Sequence, residues 1–289
     1  GRSNHMANFT IADIKALREQ LGTGMTDTKK ALEEADGDME KAVEILRLKG
    51  AKGNAKRADR SAAEGLVVAK VNDNGTATIL ELNCETDFVA KGDKFIKLAD
   101  DVLEAAAAAG ATNAEEALAA PMGDATVAEA ISELAAVIGE KFELRNARQV
   151  KGENFDVYMH YTSKDLPPQV GVVVGFTGTD TETAHGIAQH IAFANPSYLN
   201  REDVPQATID NERKVVEEIT RAEGKPEAAL PKIVEGRLGA FFKQIVLNEQ
   251  EYARDPKHTV KQIAEQAGLQ IVDFARLKVG AGVEAADAE

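Results

Sequence analysis

Tryptophan is absent from this chain, cysteine occurs once, and aromatic residues make up only 5% of it. A single cysteine, Cys84, excludes a disulfide framework and fits a reducing compartment. It closes the apolar run at Leu82-Asn83-Cys84 and reads as a buried or half-buried thiol, with no His and Asp pattern to make it a nucleophile. One Cys and 5 scattered His do not assemble a zinc site. His185 and His190 are five positions apart, not the three or four that bring two ligands onto one helix face, so ordinary core or surface histidines are the expectation. The phosphate cradle of a nucleotide hydrolase is missing, because Gly22-Thr23-Gly24-Met25 lacks the Gly-Lys-Ser/Thr that completes it. No Gly-x-Gly-x-x-Gly follows a strand. No apolar run approaches the length of a membrane span, and no basic, apolar export segment follows Met6. The expected location is therefore the cytoplasm, without membrane contact. Residues 1–5 read as a cloning remnant. Positive charge is scarce: 34 Lys and Arg stand against 48 Asp and Glu, a formal net charge of −14. Such a chain lacks the cations a general nucleic-acid binder sets against phosphate, and no direct nucleic-acid contact is expected. These absences favour a binding protein without cofactor or metal over an enzyme.

What is present is ordinary globular material: 289 residues, 44% apolar and 28% charged, enough for about two domains. Residues 6–56 carry three short helical patterns. Ile11, Ile14, Leu17 and Leu21 recur at helical spacing, and Gly22-Thr23-Gly24 stops that helix. Thr26 or Asp27 is the expected N-cap of the second helix and Asp38 that of the third, which shows Met39, Ala42, Val43 and Leu46 on one face. The basic stretch 49–60 reads as an exposed linker, helical in part, with 57–63 joining the bundle to the rest. Residues 64–150 form a first α+β unit. Two β-type runs, 65–71 and 76–82, flank the turn Asn72-Asp73-Asn74-Gly75; helices at 95–109 and 127–138 and a strand at 142–150 follow, with short helix and loop between. Residues 151–282 form a second unit with strands at 156–161 and 169–177 and a helix ending near Asn195-Pro196. The repeated order of strand, loop and Ala-rich helix suggests two related halves. An antiparallel helical hairpin is inserted at 206–248, broken at Gly224-Lys225-Pro226, before a capped helix at 259–267 and a strand at 269–279. Residues 283–289 are an acidic tail.

One segment departs from plain structural expectation. Between a strand and a helix lies Thr86-Asp87-Phe88-Val89-Ala90-Lys91. Thr86 is a good N-cap, and Asp87 suits the positive end of a helix. Phe88 has two readings. It is a hydrophobic staple onto the helix, which local pattern favours, or it projects from a rigid corner into another protein.

The residues 81–91, Glu-Leu-Asn-Cys-Glu-Thr-Asp-Phe-Val-Ala-Lys, resemble the signature of the elongation factor Ts family. Residues 17–25, followed by Lys29-Lys30-Ala31-Leu32, resemble that family's N-terminal signature, and Ile233-Val234-Glu235-Gly236-Arg237-Leu238 a third. The likeness runs over nearly the whole chain, from Met6 to Gly282. It implies an α+β fold: an N-terminal three-helix bundle similar to ubiquitin-associated domains, then two α+β subdomains with the inserted hairpin, which in the family can mediate a homodimer. It also implies an activity, exchange of GDP for GTP on elongation factor Tu. Carried over by position, Thr86, Asp87, Phe88 and Val89 would displace magnesium on that partner. Arg18, Met25, Lys29, His160, His190, Val234 and Arg237 would bind it. Thr26 stands where some members carry a second methionine, and the C-terminal helix of many members is expected to be missing here. An interaction module built on residues 6–56 alone, or a small-molecule enzyme with an α+β core, are the rival readings.

Overall fold

The computed structural model describes residues 8–283; the remnant at 1–5 and the acidic tail beyond Val283 lie outside the described residues. The chain opens with three helices: α1 (Ile11–Leu21), α2 (Met25–Glu34) and α3 (Met39–Arg57). Thr10 and Asp13 form a reciprocal capping box on α1, and the Gly22 N–H closes its other end on the Arg18 carbonyl. Leu17, Leu32, Ala42 and Leu46 bury one another at the centre of the bundle. Ile11 does not join them and stays 81% exposed, because it sits at the first helical position beyond the reach of the other two helices. The N-cap of α2 is Gly24 rather than Thr26 or Asp27, which lie within the first turn. The stretch 49–60, expected to be helical in part, is helical over most of its length. α3 runs unbroken through Arg57, so residues 49–56 are its last turns. Two glycines there are tolerated by packing: a Cβ on Gly50 would lie 2.9 Å from that of Ala136 on a helix of the next unit. Lys56 and Arg57 at the C-terminal end oppose the negative pole of the helix.

An α+β core follows. Its first half comprises β1 (Glu64–Val71), β2 (Thr76–Cys84), α4 (Asp87–Ala90), α5 (Asp93–Ala108), α6 (Ala114–Ala119), the short hairpin β3 (Pro121–Met122) and β4 (Ala125–Thr126), α7 (Val127–Ile138) and β5 (Glu143–Lys151). Its second half comprises β6 (Asn154–His160), β7 (Val170–Thr177), α8 (Thr181–Ala194), α9 (Gln206–Ala222), α10 (Leu230–Ile245), β8 (Glu251–Tyr252), β9 (Asp255–Thr259), α11 (Val260–Gln266) and β10 (Gln270–Lys278). Each half makes a three-stranded antiparallel sheet, in the orders β1-β2-β5 and β10-β7-β6. Both sheets are therefore a hairpin whose second strand is joined, after intervening helices, by a third.

The two sheets lie face to face. Val67, Ala77, Ile79 and Val150 of the first meet Val173, Ala275 and Leu277 of the second. On its other face the first sheet carries α5, α6 and α7 through Phe95, Val102, Ala117 and Ile131. The second carries α8 and α11 through Ile187, Ile191, Val260 and Ala264. Central strands are thus buried on both faces, which is why β7 reads as an almost continuous apolar run, while β2 buries Thr78, Glu81 and Asn83 among its apolar residues. Each fully buried Leu, Ile, Val or Phe in these layers contributes about 1.5–3 kcal/mol. Gly171 sets the spacing between the sheets: a Cβ there would lie 2.5 Å from Val67 Cγ1. One charge is admitted between them. The Glu81 carboxylate, fully buried, accepts hydrogen bonds from Asn83 Nδ2 and Asn146 Nδ2 at 2.8 Å each and from the Gly280 N–H at 2.9 Å. Arg145 Nη1 lies 3.5 Å away. This cluster ties the end of the second half to the middle of the first sheet.

Candidate functional site: the corner after the second strand

Strand β2 ends at Cys84 and the chain turns at once into α4, a single helical turn. So short a helix has no stability of its own, and its direction depends on what holds its first residue. Thr86 is that residue, with its hydroxyl accepting from the Val89 N–H at 3.3 Å. Cys84 Sγ donates to the Thr86 carbonyl at 3.2 Å. Burial first, and the nearby charge of Glu140 second, push the Cys84 thiol far above its ordinary pKa, so it keeps the proton it donates. The third hold comes from a distance in sequence. Glu140 Oε1 accepts from the backbone N–H groups of Glu85 and Thr86 at 3.0 and 3.1 Å, and Glu140 Oε2 accepts from the Thr86 hydroxyl at 2.7 Å. Glu85 answers by accepting from the Lys141 N–H at 2.6 Å. Gly139, left-handed at φ 81°, ends α7 and turns the chain so that Glu140 reaches the corner.

On this mount Ala90 points into the core and Phe88 points out, 75% exposed. The staple reading of Phe88 does not hold, since the aromatic that fills the core beneath the corner is Phe95, packed edge-on against Phe142 at 5.1 Å. The Lys91 ammonium lies over the Phe88 ring, 5.9 Å from its centroid. The corner therefore holds Phe88 exposed on a braced turn, with Asp87 exposed beside it. Among the described residues, no group of three or more His, Cys, Asp or Glu side chains comes together to hold a metal ion.

The other candidate residues fall into three groups. Arg18 and Met25, exposed, line a groove with Ile11 and Lys15; Lys94, in the first turn of α5, closes it. Arg18 Nε donates to the Thr23 carbonyl at 3.1 Å, which fixes the loop between α1 and α2. Lys29 is exposed on α2. The second group lies on the second half. His160 Nδ1 is 3.0 Å from the Tyr158 hydroxyl, and its ring meets Phe193 edge-on at 5.3 Å. Phe193 is 68% exposed and was not singled out from the sequence. Its signal was there: it falls off the Ile187, Ala188, Ile191 stripe of α8. His190, expected as an ordinary core or surface histidine, is a core one, 4% exposed. Its Nδ1 accepts from the Ala253 N–H at 3.1 Å, so the proton sits on Nε2 and is donated to Gln250 Oε1 at 2.8 Å. Burial lowers its pKa, against the opposing effect of Gln250.

The third group is on α9 and α10. Val234 is buried, 2% exposed, packed with Val216, Leu238 and Phe242 between the two helices. Arg237 crosses from α10 to α9, donating to Glu223 in a fork at 2.8 Å on both arms and to Thr220 Oγ1 at 2.9 Å. These two residues hold the helix pair together.

The family model described as elongation factor TS matches residues 85–281. The chain is 70% identical over 276 residues to elongation factor Ts of Leifsonia xyli subsp. xyli, covering 96% of this chain and 100% of that protein. It is 64% identical to elongation factor Ts of Clavibacter michiganensis subsp. michiganensis, with the same coverage, and 57% identical to that of Micrococcus luteus over 95% of this chain and 100% of the relative. With its corner, its two sheets and nearly its whole length matched in this way, the chain belongs to the elongation factor Ts family.

Proposed function

We propose that this protein is the guanine-nucleotide exchange factor for elongation factor Tu: it binds the GDP form, displaces magnesium from the partner's nucleotide site, and so lets GDP leave and GTP enter during translation elongation. The observation that carries the reading is the braced corner with Phe88 exposed at its tip and Asp87 beside it; family membership supports it. Magnesium is a large local charge between phosphate and protein, and losing it weakens GDP. Phe88 enters between partner side chains, and Asp87 brings a negative charge toward the ion and the phosphates. The cost of distorting the partner's site is offset by binding elsewhere. The N-terminal helices, similar to a ubiquitin-associated domain, grip the nucleotide domain through Arg18, Met25 and Lys29. His160 makes a second contact together with Phe193, and His190 supports that patch from beneath. Val234 and Arg237 contribute by fixing the shape of the helix pair.

By linkage, nucleotide weakens the factor's binding by the same factor by which the factor weakens nucleotide, so the complex is transient and the factor sets no equilibrium. The direct test is release of fluorescent GDP from elongation factor Tu in magnesium buffer. Acceleration by this protein is expected, and its absence with an active partner sinks the reading. A second copy of the chain is the other partner proposed, meeting at α9, where Val215 and Ile219 are 41% and 51% exposed on one helical face. Light scattering of Val215→Asp/Ile219→Asp against the wild type tests it: an unchanged mass contradicts a dimer through this face.

A further inference from the structure

We propose that Glu140 is a positioning residue for exchange, and that it acts through Thr86 to hold the corner in the one orientation that presents Asp87 and Phe88 to the partner. The inference rests on the exchange reading above and adds to it a residue outside the 81–91 segment. Glu140 is placed by the end of α7, not by β2 or α4; β5 pairs with β2 from Asn83 and Glu143 onward, and beyond that last pair the bonds of Glu140 carry the tie out to Thr86. Both carboxylate oxygens are used on the same short stretch, Oε1 on two successive backbone N–H groups and Oε2 on a side chain. The Thr86 hydroxyl has a single proton. Giving it to Glu140 turns a lone pair toward the Val89 N–H, which is the cap bond that starts α4. The return bond from the Lys141 N–H to Glu85, with Arg60 3.5 Å from the same carboxylate, makes the brace two-way. Without Glu140, Glu85 keeps its bond from the Lys141 N–H, but Thr86 itself keeps only bonds within the corner, to Cys84, Val89 and Ala90, and its side chain loses its one tie to the chain after α7. The groups Glu140 holds at Thr86 are exposed, so water replaces it there at small cost in stability. A carboxylate used this fully on an exposed turn serves orientation more than folding.

The test is a double-mutant cycle with the full chain and fluorescent GDP on elongation factor Tu, reading the maximal release rate at saturating factor separately from the half-saturating concentration. Glu140→Ala is expected to lower the maximal rate about ten-fold. The half-saturating concentration should move by less than about two-fold, because the binding surfaces elsewhere are untouched. In a Phe88→Ala background the same substitution should cost less than about two-fold, since there is no ring left to aim. Glu140→Gln keeps an acceptor for the two N–H groups and should recover part of the rate; it also carries the cycle if Glu140→Ala proves unfolded by circular dichroism. Equal losses in the two backgrounds, a rate unchanged by Glu140→Ala, or a loss confined to the half-saturating concentration each overturn the positioning role. A Phe88→Ala protein that is folded and exchanges at the wild-type rate overturns the corner's function itself, and that result is read before Glu140 is touched.

Discussion

Two phenylalanines close together in sequence, Phe88 and Phe95, answer opposite questions when each is replaced by alanine. Phe88 is 75% exposed and Phe95 is 1% exposed. A phenylalanine side chain presents roughly 200 Å² of accessible surface, of which about a quarter, ~50 Å², is buried at position 88. At about 25 cal/mol per Å² that burial is worth about 1 kcal/mol, an upper bound for a ring whose vacated site fills with water. Phe95 fills the space under α5 against Phe142, and its truncation leaves a cavity costing about 3–5 kcal/mol. Urea unfolding followed by far-ultraviolet circular dichroism separates the two. Phe88→Ala should keep the wild-type midpoint within the shift of about 1 kcal/mol, while Phe95→Ala should be plainly destabilised. In exchange assays below the unfolding range the order reverses. Phe88→Ala should lose about ten-fold or more of the stimulated GDP release, and Phe95→Ala, where still folded, should lose less. A Phe88→Ala protein destabilised by about 3 kcal/mol would mean that the ring is packed and the corner is a staple; the argument from exposure would then be wrong.

Three further predictions rest on single contacts. Glu81→Ala strips the buried acceptor from Asn83, Asn146 and the Gly280 N–H and removes the carboxylate 3.5 Å from Arg145, which keeps Glu143 and the Ala62 carbonyl; a loss on the order of 3 kcal/mol is expected in urea unfolding, and a loss below about 1 kcal/mol refutes the buried clasp. Gly171→Ala forces a methyl group against Val67 and Met159 and should cost about 1–3 kcal/mol by the same measurement; a neutral result would mean that the sheets can separate to admit it. His190 is held neutral, with a pKa lowered by burial, so the unfolded chain takes up its proton first as pH falls. Its contribution is intact above the unfolded value of about 6.5 and is lost as pH drops below it. The melting temperature of the wild type should therefore fall more steeply between pH 7 and 5 than that of His190→Gln, and parallel curves contradict the assignment.

Much of this architecture was legible in the sequence because patterning and turn chemistry agree. The Asn72-Asp73-Asn74-Gly75 turn pairs two apolar runs in the register observed between β1 and β2. The Thr259 capping box marks the start of α11. The misreadings have physical causes. Residues 49–56 look like a linker because glycine and lysine dominate, yet Gly50 is there to let α3 approach Ala136. His190 and Val234 sit on the apolar stripes of α8 and α10, and that local signal accounts for their burial. At Phe88 local pattern favours the staple; nothing in the spacing distinguishes a staple from a projecting ring, and the exposure of the ring decides otherwise. Glu140 was invisible for a different reason. Its bonds reach back more than 50 positions to Glu85 and Thr86, and nothing in Gly139-Glu140-Lys141 announces which backbone groups it will find.

The central claim is exchange, and stimulated nucleotide release tests it most directly. Fluorescent GDP is preloaded on elongation factor Tu in magnesium buffer, unlabelled nucleotide is added in excess, and the fluorescence decay is followed with and without this protein. The account predicts strong acceleration that saturates with factor concentration and weakens as free nucleotide is raised. A decay rate unchanged by a folded protein and an active partner would contradict it.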